Sequence, residues 1–279
     1  MPEGPEIRRV ADRLADVLVE RPLTSVWFRF PHLQARIEAH APERVESVRA
    51  WGKALLIEFD DARTLYAHNQ LYGRWFVRRA GNRPNTGREL RVILETGRHA
   101  ALLYSASDIA LLEPGAWREH PFLGKLGPDV FAAETTPAFL RKRLRSPRFR
   151  RRALGGLLMD QRFLAGLGNY LRSEILFTAG VHPDLRADDL DDATLARLTR
   201  QIRSLAQRAY RTGGETAPKA WVRQRAALGL PRRACRHLVF ERDDEPCAAC
   251  GTLVRRMDYA GRRLYFCPRC QPAAEAEHA

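Results

Sequence analysis

The sequence contains no run of 18 apolar residues, and its opening Met1-Pro2-Glu3-Gly4-Pro5-Glu6 is polar where a secretory signal would carry an apolar core. These two absences speak against a membrane span or an export signal and predict a soluble cytoplasmic protein. Cysteine is scarce: five occur among 279 residues, four of them in two CxxC pairs, with only Cys235 left over. That scarcity argues against a disulfide-built secreted domain and suits a reducing compartment. Acidic residues are outnumbered, 33 Asp plus Glu against 47 Lys plus Arg, for a formal charge of +14 and a pI of about 10.3. A GC-rich genome accounts for the preference for Arg over Lys but not for the net excess. The surplus points to a polyanionic partner, because guanidinium groups grip phosphate bidentately and release condensed counterions from nucleic acid.

What is present is ordinary in bulk. A hydrophobic fraction of 45% supports a buried core, and the length allows two domains plus a small metal-stapled module. The chemistry is concentrated at the start. A methionine followed by proline is normally trimmed, which would leave Pro2 with a free secondary amine. An α-amino group titrates near pH ~8, so a useful fraction is unprotonated at neutral pH and can attack an aldehyde carbon to give an iminium. Glu3 beside it is placed to move the accompanying proton, and Gly4 allows close approach. Pro5 suits a first helical turn, with Ile7, Val10, Leu14 and Leu18 forming one apolar face before Pro22 ends the helix. The same residues also suit a plain helix start, with Glu3 and Glu6 favouring the positive end of its dipole.

Between Leu23 and Leu112 the pattern turns to short β runs: 26–30, 45–51, 54–59, 64–68, 74–78, 90–96 and 101–105. Gly and Pro punctuate them, which predicts an antiparallel sandwich or barrel. Gly52-Lys53 reads as a hairpin tip holding an exposed ammonium. Leu71 and Tyr72 sit in a second tip, Asn69 to Gly73, either packed within the loop or set as a wedge for a base stack. The stretch 122–137 reads as a linker. Helices are predicted from Thr136-Pro137 to Leu144, over Tyr170–Ala179 behind a cluster of glycines, and over Asp192–Tyr210. Asn169 would stand at or near a helix cap, where open N–H groups also bind phosphate. The run Arg141 to Arg152 holds seven arginines and one lysine. It suits either a solvated face or a phosphate backbone. Residues 212–236 receive no assignment.

Cys247-Ala-Ala-Cys250 and Cys267-Pro-Arg-Cys270, sixteen residues apart, have the spacing of a tetrahedral four-cysteine zinc site. Four protein ligands leave the metal no open position, so one Zn2+ would be structural. Between the pairs, Arg255, Arg256, Arg262 and Arg263 interleave with Tyr259, Tyr265 and Phe266 on a hairpin able to meet phosphates or bases. A disordered tail is expected after residue 272.

Taken in order, MPEGPEIRR, WGKALL, YAHNQLYGRW, LYSASDI, HPFLGKLGPDV and LMDQRFLAGLGNYLRSEIL, followed by the CxxC pairs, closely resemble the bacterial formamidopyrimidine-DNA glycosylase and endonuclease VIII family. Gly4 and Gln70-Leu71-Tyr72 look like the endonuclease VIII branch. The resemblance implies an α+β multidomain protein: a β-sandwich catalytic domain with an N-terminal helix (1–125), a helical helix-two-turns-helix domain (126–236), a zinc finger (237–272) and a tail (273–279). It implies a base-excision DNA glycosylase for oxidised pyrimidines, with AP lyase activity, that acts as a monomer on damaged double-stranded DNA. The damaged nucleotide would be flipped out of the duplex. By the same resemblance Pro2 is the Schiff-base nucleophile, Glu3 the general acid, Lys53 the proton donor for β-elimination and Arg262 its counterpart for δ-elimination. Gln70, Lys125 and Asn169 contact DNA, and Leu71 and Tyr72 fill the vacated stack. Lys125 stands where close relatives carry arginine, which keeps the charge and gives up the fork. Two other readings compete: a non-enzymatic zinc-ribbon DNA-binding protein, and a proline tautomerase, whose chains are shorter and need no finger.

Overall fold

The computed structural model describes residues 2–259 and 261–273; all but the first residue of the expected tail, 273–279, lies outside them. The chain divides into two compact units, 1–125 and 126–279, with the boundary inside the stretch read as a linker.

In the first unit, helix α1 (Gly4–Leu18) begins with Pro5 in its first turn and buries Ile7, Ala11, Leu14 and Leu18, the apolar face expected from the spacing. Strands β1 (Leu23–Phe28), β2 (Val45–Trp51), β3 (Ala54–Phe59), β4 (Thr64–His68), β5 (Arg74–Arg79), β6 (Leu90–Thr96), β7 (His99–Tyr104) and β8 (Asp108–Leu112) form two antiparallel sheets, ordered β2-β3-β4-β8 and β1-β6-β7-β5. The sheets and α1 share one core, to which Leu55, Ile57, Phe59 and Leu65 come from one sheet and Phe28, Trp75, Val92 and Leu103 from the other. This is a β-sandwich closed by a helix. β3 is apolar nearly throughout because its second face is covered too: Leu56 and Tyr66 are fully buried, and the Tyr66 ring meets His120 and Phe122. Two elements differ from the sequence reading. Helix α2 (Pro31–Ala39) buries only Leu33 and Ile37, and the five-residue β8 is recognisable only through its pairing with β4.

In the second unit, α3 (Pro137–Leu144) is capped by Thr136, whose hydroxyl accepts from the Phe139 N–H at 3.2 Å. A short α4 (Leu154–Leu157) leads through the glycine-rich segment to α5 (Asn169–Ala179), which ends at Gly180 in the left-handed region (φ 66°). Helix α6 (Asp192–Thr212) buries Leu195, Leu198, Ile202 and Leu205 on one face, as its periodicity predicts. Residues 212–236, left unassigned from sequence, form α7 (Lys219–Ala227) and α8 (Arg232–Cys235). No residue of α7 is buried, so it carries no apolar stripe to read. Its Trp221 instead meets the guanidinium groups of Arg225 and Arg242, whose central carbons lie 5.2 and 4.9 Å from the ring centroid. Strands β9 (Arg255–Tyr259) and β10 (Arg262–Phe266) pair antiparallel as the hairpin of the finger.

Candidate functional site

Pro2 and Glu3 lie at the entrance of α1. Glu3 has extended backbone geometry and is only 3% exposed; its N–H donates to the Glu6 carboxylate at 2.9 Å, and its carbonyl accepts from the Ile7 N–H at 3.1 Å. The residue is thereby fixed at the helix mouth, and the helix it starts packs along β2 and β3. The turn joining those strands carries Lys53, which the sequence reading placed in solvent. The structure corrects this: Lys53 is 6% exposed. Gly52 takes a left-handed φ of 60°, and Ala54, next to Lys53, is already paired with His68 of β4, whose imidazole feels the Lys53 charge.

A polar cluster that sequence reasoning missed lies close to this turn. The Tyr66 hydroxyl donates to Asp108 Oδ2 at 3.0 Å, and His120 Nδ1 accepts from the Phe122 and Leu123 N–H groups. Burial pushes the Tyr66 phenol up, reinforced by Asp108. Burial also holds His68 below its ordinary range, opposed by Asp108 and aided by the Lys53 ammonium. His68 is therefore neutral at pH 7, and its Nδ1 accepts the Gln70 N–H at 3.0 Å.

That bond begins the Gln70-Leu71-Tyr72 tip. Gln70 itself sits at φ 48°, and its Oε1 accepts from the Ser107 hydroxyl at 3.1 Å. Gly73 closes the tip; a Cβ there would lie 2.6 Å from the Asn69 carbonyl oxygen, so only glycine fits. Leu71 and Tyr72 are 64% and 68% exposed, which rules out packing within the loop as the reason for their presence. Lys125 is exposed at the end of a single 3-10 turn, Leu123–Lys125.

In the second unit Asn169 is the first residue of α5, with Gly168 as the cap. Gln161 shapes the turn before it: its amide donates to the carbonyls of Met159 and Leu167, and its oxygen accepts from the Gly166 N–H. Much of the basic run serves the fold. Arg143 donates to the Phe163 and Arg162 carbonyls, Arg145 and Arg150 pair with Asp188, and Arg152 pairs with Asp160 at 2.7 Å. Arg141, Lys142 and Arg151 remain on the surface.

The four cysteine sulfurs of Cys247, Cys250, Cys267 and Cys270 lie within 4.8 Å of one another, with Cys247 to Cys270 at 3.9 Å and Cys250 to Cys267 at 3.5 Å. Thiolates about 2.3 Å from a tetrahedral zinc stand roughly 3.8 Å apart, so the donor set fits that ion. Gln271, fully buried, accepts the Cys267 N–H and donates to the Val181 carbonyl, tying the metal knuckle to the end of α5. A second tie comes from Glu174, also fully buried, whose carboxylate accepts from the Leu238, Val239 and Phe240 N–H groups and from the Thr216 hydroxyl. Arg262 opens β10 opposite Tyr259 and is exposed.

Comparison with known proteins agrees with this anatomy. Residues 1–107 match the formamidopyrimidine-DNA glycosylase N-terminal domain, 126–220 the H2TH domain of formamidopyrimidine-DNA glycosylase, and 244–273 a zinc finger found in that enzyme and in IleRS. Endonuclease 8 of Escherichia coli is 45% identical over 271 residues, 97% of this chain and 100% of that protein, and Endonuclease 8 of Pectobacterium carotovorum matches to the same extent. Among solved structures, the Lactococcus lactis glycosylase in complex with DNA containing an oxidised pyrimidine aligns with a TM-score of 0.78. That alignment covers 98% of this chain and 100% of the other at 21% identity, a likeness of fold. With identity to Endonuclease 8 sustained along nearly its whole length and the three domain types in sequence, the chain belongs to the formamidopyrimidine-DNA glycosylase and endonuclease VIII family of base-excision DNA glycosylases with AP lyase activity.

Proposed function

We propose that this protein removes oxidised pyrimidines from damaged duplex DNA and then cleaves the strand by β,δ-elimination, using Pro2 as nucleophile once Met1 has been trimmed. The observation that carries this reading is the 45% identity to Endonuclease 8 over 97% of the chain, in a sequence that sets Pro2-Glu3 at the mouth of an amphipathic helix. The secondary amine of Pro2 attacks the sugar C1′ as the bond to the damaged base breaks, and Glu3 supplies the proton that the opened sugar or departing base requires. The resulting iminium acidifies the C2′–H, so loss of that proton expels the 3′ phosphate. Lys53, sheltered in its turn, is the proton donor tied to that step, and Arg262 serves the second elimination. Gln70, Lys125 and Asn169 hold the backbone while Leu71 and Tyr72 occupy the gap left by the flipped nucleotide.

In this reading residues 1–125 carry Pro2, Glu3 and Lys53 for the chemistry and the Gln70–Tyr72 tip and Lys125 for DNA, 126–236 and 237–272 bind DNA with Arg262 of the finger serving the second elimination, and one zinc on the four cysteines has a structural task. The enzyme works as a monomer on the DNA of the bacterial cytoplasm. Incubation with duplexes containing thymine glycol should release the base and nick the strand, and Glu3→Gln should abolish release while binding persists. A protein that binds these duplexes without releasing base would instead be a zinc-ribbon DNA-binding protein, the reading favoured by the +14 charge alone.

A further inference from the structure

Arg172 is fully buried in the first turn of α5, and its guanidinium reaches three separate segments. Nη1 donates to the Gly155 carbonyl at 3.0 Å; Nη2 donates to Asn169 Oδ1 at 2.5 Å and to the Arg263 carbonyl at 3.2 Å. Tyr259 of β9 lies beside it, with its ring centroid 6.0 Å from the guanidinium carbon, and the same ring closes on Gly155, where an added Cβ would come within 3.1 Å of it. The charge is therefore buried at a junction of the α4 turn, the start of α5 and the finger hairpin.

A guanidinium has donors only. The end of the Asn169 amide that faces Arg172 must therefore be its oxygen, whichever way round the two amide atoms would otherwise settle. The nitrogen is then turned to the opposite side, and no described residue accepts from it. We infer that Arg172 is a positioning residue that fixes Asn169 as a hydrogen-bond donor toward a DNA phosphate, and that its hold on the Arg263 carbonyl registers the strand on which Arg262 stands. The inference rests on the proposed reading of Asn169 as a backbone contact. Without the guanidinium the amide is free to rotate by half a turn and to present its oxygen to the phosphate, which repels it.

Because the amide is neutral, its loss releases no counterion. Weakening through this route leaves the salt dependence of binding unchanged, whereas loss of a cation that touches phosphate flattens it by nearly one unit of slope. The test is the dissociation constant for a duplex bearing a tetrahydrofuran abasic analogue, measured across salt for the wild type, Arg172→Lys, Asn169→Ala and the double variant, with thermal stability and zinc content alongside. Arg172→Lys should weaken binding by about ten-fold or more, as expected for one hydrogen bond to a charged group, at unchanged salt slope. In the Asn169→Ala background the same substitution should cost less than a third of that factor. Equal factors in both backgrounds would overturn the inference.

Asn169→Asp covers the case in which Arg172→Lys misfolds. It keeps an oxygen against Arg172 and so should fold and retain zinc as the wild type does, yet bind at least ten-fold more weakly. Wild-type affinity in Asn169→Asp would also overturn the inference. Failure of the wild type itself to bind the abasic duplex would instead contradict the functional reading beneath it.

Discussion

Glu174→Gln offers a nearly isosteric perturbation of the buried carboxylate that ties α5 to the chain entering the zinc finger. Val239 and Phe240 donate to one carboxylate oxygen at 2.7 and 3.0 Å, Leu238 donates to both oxygens, and the Thr216 hydroxyl donates to the other at 2.8 Å. Glutamine keeps one oxygen for the backbone donors and turns an NH2 toward Thr216. That hydroxyl can reverse, because it also lies 2.8 Å from His237 Nδ1, so its contact survives in altered form. What is lost is one branch of the Leu238 bond and the charge assistance on the others. A hydrogen bond to a charged group contributes about 1.5–3 kcal/mol and a neutral one about 1, so three weakened bonds give a destabilisation of roughly 1.5–6 kcal/mol. In exchange terms this is a loss of protection of roughly ten-fold or more. Amide hydrogen exchange read at Leu238, Val239 and Phe240 is the direct assay, with urea unfolding as the global one. Protection within a factor of two of the wild type at those three amides would show that the carboxylate does not hold this segment.

Other outcomes follow from the same structure. A chelator strong enough to strip the four cysteines should unfold the β9–β10 hairpin and weaken DNA binding while leaving the secondary structure of residues 1–125 unchanged by circular dichroism; zinc should restore both. His237 is buried, and burial, with the Arg236 charge adding to it, depresses its pKa to about 3. The unfolded chain binds that proton near pH ~6.5, so the contribution is fully present above that pH and is lost as pH falls toward the folded value, with a slope of up to about 1.4 kcal/mol per pH unit. Urea unfolding between pH 6.5 and 5 should show a shallower loss in His237→Gln than in the wild type, and equal slopes would contradict the assignment. Leu71→Ala together with Tyr72→Ala, at sites 64% and 68% exposed, should change stability by less than about 0.5 kcal/mol yet slow base release from duplex DNA. A large stability loss would mean that the two side chains support the loop.

The parts legible from sequence are those whose signal is local. The four cysteines announce themselves by spacing, α6 by its 3.6-residue stripe, and the turn at Gly73 by its glycine. Lys53 was misplaced because its shelter depends on β4 and on neighbours brought in by pairing, none of them close in sequence. The basic run carries less free charge than its sequence suggests: Arg143, Arg145, Arg150 and Arg152 are engaged by carbonyls and carboxylates up to 47 residues away. Glu174 and Arg172 gave no signal at all, since a charged residue inside an apolar helix declares its purpose only when partners 64 and 91 residues downstream arrive. Helix α7 was missed for the opposite reason, as it buries nothing.

The most direct test of the central claim is peptide mapping of the protein after borohydride reduction in the presence of a duplex containing thymine glycol. The account predicts a covalent sugar adduct on the nitrogen of Pro2 in protein lacking Met1, and no adduct in a variant whose Met1 is retained. An adduct located on Lys53 or any other lysine, or full activity from protein that still carries Met1, would contradict it.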